Sequence, residues 1–168
     1  MAGDREDSEL VDILDEHANV IDTMTRAEMR DGNLLHRSVF IAVVNDADEL
    51  LVHLRADWKD LWPSSWDIAV GGVVGAGEGW ETAAARELAE EVGISSELSY
   101  LGEGIYEDEH VREVARIYHT RSEGPFTYSD GEVVEAAWVP IVSLRAWLEG
   151  RPVCPDSIAL VLPRLDAP

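Results

Sequence analysis

Hydrophobic positions along this chain recur mostly at the period of strands. Apolar runs predict strands near 9–14 and 18–22, with a polar turn at Asp15–Asn19 between them. Two more follow at 37–45 and 49–55, joined by the turn Asn45-Asp-Ala-Asp48. Later strands are expected at 67–74, 97–107, 111–121 and 133–139. The period changes at Trp80–Val92, where Ala83, Ala84, Ala85, Leu88 and Val92 fall near helical spacing. Gly79 is a permissive N-cap for that helix, and Gly93 is placed to stop it in a left-handed conformation. Shorter helices are predicted from a Thr25 cap through Arg30, over 141–149, and from an Asp156 or Ser157 cap to Pro163. Residues 1–8 are polar and acidic and are expected to be disordered, and 58–66 reads as a loop. No repeat, low-complexity run or linker divides the chain, so 1–168 is expected to be one domain, with a mixed sheet between helices in an α/β/α sandwich of the α+β class.

On the helix at 80–92, Glu87, Glu90 and Glu91 are three and four residues apart and share one face, opposite the apolar stripe. The glutamates repel one another. They also lie in the last turns, where an anion opposes the helix dipole at about 0.3–1 kcal/mol each. A bound divalent cation reverses both penalties. Clustered carboxylate oxygens suit Mg²⁺, or Mn²⁺ in its place, since both also hold substrate phosphates. Upstream, the glycine-rich Gly71-Gly-Val-Val-Gly-Ala-Gly77 lets backbone approach a ligand closely. Glu78 and Arg86 are read as an ion pair that fixes this loop to the helix. A solvated, Glu-rich helix would account for three glutamates alone, but not for the glycines, Arg86 and distant Glu78 together.

Residues 72–94 spell G-x5-E-x7-R-E-U-x-E-E-x-G-U, with U a bulky aliphatic residue, from Gly72 and Glu78 through Arg86 to Gly93 and Ile94. This is the Nudix box, and the segment resembles a Nudix hydrolase. The resemblance implies the Nudix fold and hydrolysis of a diphosphate linked to another moiety, commonly a nucleoside. It also implies Mg²⁺ held by Glu87, Glu90 and Glu91 with the Gly71 carbonyl. The expected chemistry is in-line attack of water on phosphorus. Glu90 and Glu91 are catalytic candidates as well as ligands. Families of this type place the general base differently; here Asp130-Gly-Glu132-Val-Val-Glu135 offers Glu132 and Glu135 as base or extra ligand, against an ordinary role as turn and strand-edge charges.

The flanking sequence, 10–39 and 50–67, is similar to isopentenyl-diphosphate-isomerase-like Nudix proteins. Arg55 and Lys59 match the arginine and lysine that contact the diphosphate in true isomerases. An isomerase itself needs a cysteine where this chain has Gly71. It also needs three metal-binding histidines, of which only His36 is present; Met29 and Val73 take the other positions. The reading is therefore a hydrolase on an isomerase-like scaffold. An isomerase and a non-catalytic nucleotide-binding regulator stand as alternatives.

Composition narrows the partners. Thirty-four acids against 13 Lys and Arg give a net charge of −21, which disfavours nucleic-acid polymers and anionic membranes. A small anionic diphosphate then depends on metal for charge screening. Cys154, the single cysteine, precedes a proline and reads as packing. No secretory signal or membrane span is evident, so a cytoplasmic location is expected. Nudix proteins often dimerise, so the resemblance admits a homodimer, while the residues themselves do not set the partner number. Trp58, Trp62, Trp66, Tyr106 and Phe126 are candidates to border a pocket, with core packing the commoner use of such rings.

Overall fold

The structure, a computed structural model, describes residues 2–166. Its elements in order are α1 (Ala2–Ser8), β1 (Leu10–Leu14), β2 (Val20–Thr25), α2 (Arg26–Asp31), β3 (His36–Val44), β4 (Glu49–Arg55), β5 (Trp66–Asp67) and β6 (Val70–Val73). There follow α3 (Trp80–Val92), β7 (Ser99–Glu107), β8 (Arg112–Arg121), β9 (Val133–Pro140), a 3-10 turn at Ile141–Ser143, α4 (Leu144–Leu148), α5 (Pro155–Leu160) and α6 (Leu162–Leu165). β1 and β2 form a separate antiparallel hairpin. The other strands make one mixed sheet in the order β5-β4-β3-β8-β7, with β6 also paired to β3 and β9 to β4. Only the β3–β8 pair is parallel.

Strand β3 shows why the sheet is sandwiched. Its side chains alternate between faces, and both faces are apolar. Val39, Ile41 and Val43 pack with Ala83, Ala84, Leu88 and Val92 of α3. Phe40, Ala42 and Val44 pack with Leu144, Leu148, Leu160 and Leu162 of the C-terminal helices. The mixed sheet between helical layers is as expected from the chain's alternating pattern.

Thr25 caps α2 as expected. Its hydroxyl accepts from the Glu28 N–H at 3.3 Å, and its own N–H donates to the Glu28 carboxylate at 2.9 Å, a reciprocal capping box. Gly93 ends α3 at φ 72°.

Four expectations need correction. Residues 2–8 are helical rather than disordered, because Glu6 finds long-range partners in Arg26 and Lys59 that local composition does not reveal; Met1 lies outside the described residues. The strand expected at 67–74 is two strands on different neighbours. Asp67 accepts a hydrogen bond from the Ala69 N–H at 3.2 Å and turns the chain between them. The expected helix at 141–149 starts as a 3-10 turn. The last helix is capped at Cys154 instead of Asp156 or Ser157, since Pro155 is pre-set for the first helical position, and it breaks into α5 and α6. Among the described residues no helix is long and apolar enough to cross a membrane.

Candidate active site

One cleft, with a cavity of about 120 Å³, gathers most of the residues singled out above. Gly71, Gly72, Arg86, Glu87, Glu90 and Glu91 line it from the box. Arg55, Lys59 and Glu132 line it from β4 and the flanking loops.

Arg86 is the hub of the box. Its guanidinium meets Glu78 in a two-pronged pair, Nε to Oε1 at 2.9 Å and Nη2 to Oε2 at 3.0 Å, and Nη2 also donates to the Val73 carbonyl at 3.2 Å. Nη1 reaches Glu87 at 2.8 Å and Glu90 at 3.2 Å. Glu78 in turn accepts from the Gly75 N–H at 2.8 Å, so the loop is tied to the helix through one carboxylate. The hydrogen bonds from Arg86 hold the Glu78 carboxyl below its usual range despite partial burial.

The two glycines before the box leave no room for side chains. A Cβ on Gly71 would stand 1.9 Å from the Val39 carbonyl oxygen across the β3–β6 pair. A Cβ on Gly72 would stand 2.6–2.8 Å from atoms of the Glu87 carboxyl group. Glu87 therefore lies directly against the backbone of the loop.

Burial pushes the Glu87 carboxyl up to about 7, against the pull of Arg86. Glu91 is raised well above its usual value, first by burial and then by the negative charges of Glu87, Glu132 and Asp67. Glu132 shows the opposite net shift. Burial raises it, but its hydrogen bond with Glu6 and the Lys59 ammonium at 3.0 Å outweigh burial, and its carboxyl sits below the usual range.

Among the described residues no group of three or more His, Cys, Asp or Glu side chains is already drawn together as a metal cage. Arg86 holds Glu87 and Glu90 instead. The donor chemistry nevertheless fits a hard divalent cation. The facing groups are carboxylate oxygens, with Glu91 raised by burial and then by its acidic neighbours, and Glu90, 58% exposed, is held only by its contact with Arg86 at 3.2 Å among the described residues.

Glu135 is not part of the cleft. It lies exposed on β9 opposite Leu54, and of the two expected carboxylates only Glu132, at the turn before the strand, lines the cavity. Of the candidate aromatics only Trp62 does so. Trp66 packs edge-on against Trp147 at 4.9 Å, and Phe126 packs against Tyr128 and Trp138. The Tyr106 hydroxyl donates to Asp108, and Trp58 lies exposed beside Lys59.

The cleft also holds residues that the sequence pattern did not single out as site residues, among them Glu6, Arg26, Arg30, Asp67, Glu113 and Asp156. Arg26 and Arg30 are one helical turn apart directly after a Thr25 cap, a spacing that marks a shared face. Glu113 is a lone acid inside the apolar strand β8, 3% exposed, and such a residue is a signal in itself. Burial and Asp156 push its carboxyl up to about 8.

The NUDIX domain family matches residues 34–156, which take in the box, Arg55, Lys59 and Glu132. The chain belongs to the Nudix hydrolases. The Nudix hydrolase PA4841 of Pseudomonas aeruginosa, itself uncharacterized, is 35% identical over 163 residues, covering 96% of each chain. DR0079 from Deinococcus radiodurans has a similar fold, with a TM-score of 0.80 at 23% identity over 95% of this chain and 100% of that one. The NUDIX domain of Shewanella oneidensis NrtR, solved with ADP-ribose, has a TM-score of 0.61 at 19% identity over 84% of this chain and 96% of that one.

Within this Nudix hydrolase, the positions that an isomerase would give to metal-binding histidines are apolar and packed. Met29 and Val73 sit in one cluster with Val11 and Ile13. His36 is 1% exposed, its Nδ1 paired with the Leu34 carbonyl, and burial together with the charge of Arg30 lowers its pKa to about 3. It is a neutral core histidine at physiological pH. Cys154 is fully buried, as expected of a packing residue.

Proposed function

We propose that this Nudix hydrolase uses Mg²⁺, with Mn²⁺ as a substitute, to hydrolyse the diphosphate bond of a small nucleoside-diphosphate-linked molecule. The observation that carries the reading is the convergence of the box glutamates, the basic pair Arg55 and Lys59, and Glu132 on a single cleft. Glu87, Glu90 and Glu91, with the Gly71 carbonyl, would hold the cation. A bound cation there supplies charge neutralisation for the phosphates and acidifies a water. Lys59 and Arg55 receive phosphate oxygens. Glu132, whose carboxyl is kept below its usual range and so ionised at neutral pH, takes the proton from the attacking water. Its link to Lys59 fixes its direction. Water adds to phosphorus in line, and a nucleotide or phosphate departs.

The lining favours a hydrophilic substrate over an isoprenoid chain. Charged side chains dominate the cavity, and an alkenyl tail would leave them buried without partners. Trp62 is the ring available to stack on a nucleobase. An isomerase lacks both its acid and its metal site here, as Gly71 cannot carry a side chain. A ligand-binding regulator would have no need of the intact acidic set. Cytoplasmic residence belongs to the same reading, supported by the single buried cysteine.

The test is release of phosphate or nucleotide from a panel of nucleoside di- and triphosphates, nucleotide sugars and isoprenoid diphosphates, with Mg²⁺, with Mn²⁺ and with chelator. Metal-dependent release from a nucleoside phosphate is expected, together with its loss in Glu91→Gln at unchanged fold. Full activity in that variant would sink the ligand assignment, and turnover confined to isoprenoids would sink the substrate class.

A further inference from the structure

Five of the chain's thirteen lysines and arginines line this one cleft, although the chain as a whole is strongly acidic. Arg55, Lys59 and Arg86 have roles above. Arg26 and Arg30 do not. They come from α2, outside the family's matched residues, and stand one turn apart on one face.

An acid from a distant part of the chain already lies among these cations. Glu6 of α1 is 3.1 Å from Arg26 Nη1 and 3.8 Å from Lys59 Nζ; burial, and then a hydrogen bond shared with Glu132, raise its carboxyl to about 7, so a proton lies between the two acids below that pH. Arg30 donates its Nε to Asp60 at 3.1 Å, while its Nη1 is buried with no partner. Arg26 and Lys59 thus converge on the Glu6 carboxyl, with Asp60 beside both arginines, 3.1 Å from Arg30 Nε and 3.8 Å from Arg26 Nη2, and Glu132 3.0 Å from Lys59 Nζ. The segment that brings Glu6 there is held lightly. A seven-residue helix has almost no stability of its own, and among the described residues the ties of this segment to α2 include the Glu6–Arg26 pair and, just past the helix, a backbone hydrogen bond from the Arg26 N–H to the Glu9 carbonyl at 2.8 Å.

We propose that Arg26 and Lys59, backed by Arg30, form an anion subsite for a terminal phosphate of the substrate, and that Glu6 is a built-in occupant which the substrate displaces. The proposal rests on the reading of the ligand as a phosphate ester or anhydride. A phosphate brings up to two charges and three acceptor oxygens against a carboxylate's one and two, so it wins the subsite when it arrives. Displacing Glu6 also releases Glu132 from the hydrogen bond they share, which couples occupancy of the subsite to freeing the carboxylate that takes the water's proton. The substrate class is thereby narrowed to molecules with an anionic group beyond the hydrolysed linkage, such as a nucleoside triphosphate, over those whose diphosphate is capped at both ends by neutral groups.

The experiment is calorimetric binding of inorganic triphosphate in metal-free buffer, to the full chain and to four variants, each checked for fold by circular dichroism. Glu6→Ala is expected to bind about tenfold tighter than the parent. Asp7→Asn, which removes an acid from an exposed position on the same helix, is expected to bind as the parent does. Arg26→Gln is expected to bind at least about tenfold more weakly, and Arg26→Lys to fall between it and the parent. Unchanged binding in Glu6→Ala overturns the proposal, as does equal tightening in Asp7→Asn, which would make the effect one of general charge. If Arg26→Gln does not fold, the Glu6 and Asp7 comparison decides alone. Because binding needs no turnover, an inactive substrate panel with the Glu6 effect intact would sink the hydrolase reading and leave the subsite standing. Hydrolysis without a Glu6 effect would do the reverse.

Discussion

Arg86 offers the sharpest test of how the box is held together. Replacing it with Met keeps the aliphatic stem and removes the guanidinium. Lost with it are the two bonds to Glu78, the bond to the Val73 carbonyl, and the contacts to Glu87 and Glu90. Hydrogen bonds to charged groups contribute about 1.5–3 kcal/mol each when well made, and removing one partner of a buried ion pair costs about 3–5 kcal/mol. The Arg86 side chain is 30% exposed, whereas Glu78 and Glu87 are 17% and 12% exposed, so water offsets part of the loss but cannot reach the stranded carboxylates freely. The contact to Glu90, 58% exposed, adds little. The expected loss is about 3 kcal/mol, at the lower end of the buried-pair range. For a domain of this size that is a fall in Tm of about 6–12 °C. Urea unfolding of Arg86→Met, Glu78→Gln and the double variant measures it, with an expected coupling of about 2 kcal/mol between the two sites. Additivity within about 0.5 kcal/mol, or a loss below about 1 kcal/mol for Arg86→Met, would refute the assignment of Arg86 as the hub. The variant carries a second signature. Without the guanidinium the box glutamates face one another unscreened, so added Mg²⁺ should raise the Tm of Arg86→Met by more than it raises that of the parent.

Three further outcomes follow from other parts of the molecule. Gly71→Ala forces a methyl onto the Val39 carbonyl and is expected to cost more than about 4 kcal/mol, seen as loss of a cooperative thermal transition; Gly71→Cys should fail equally and gain no isomerase activity. Glu113, raised to about 8 from a usual value of 4.5, keeps in the folded state a proton that the unfolded chain releases, so it lowers stability as pH rises through that window. Glu113→Gln should therefore gain more stability at pH 8 than at pH 5 in urea titrations, and an equal gain at both would refute the linkage. Trp62→Ala should raise KM about tenfold for nucleotides while leaving the affinity for inorganic triphosphate unchanged, as expected for a ring that stacks on a base; an equal loss for both ligands would assign Trp62 to the architecture of the cleft.

The sequence pattern made much of this legible where the signals are local. The apolar stripe and terminal glycine of α3, the Thr25–Glu28 capping box and the alternation along β3 are written within a dozen residues of one another. The box was legible because its chemistry fixes both residue types and spacing. What escaped depends on partners far along the chain. The helicity of 2–8 rests on Glu6 reaching Arg26 and Lys59. The split between β5 and β6 depends on which strands they pair with, and no property of Ile68 or Ala69 announces it. Glu132 and Glu135 look alike in a one-dimensional pattern; the turn at Asp130, whose side chain accepts from the Glu132 N–H at 3.0 Å, keeps one in the cleft, and the β9 register takes the other out.

The residues that close the cleft run from Glu6 near one end of the chain to Asp156 near the other. A chain emerging from the ribosome therefore completes this cavity only after Asp156 has been made, although α3 can already pack on β3 and β6, which precede it. The parallel pairing of β3 and β8 brings together segments some seventy-seven residues apart, His36 with Glu113, and contacts of that range form slowly. A chain stopped before Asp156 should therefore hold the box helix on its sheet and still lack a closed cleft.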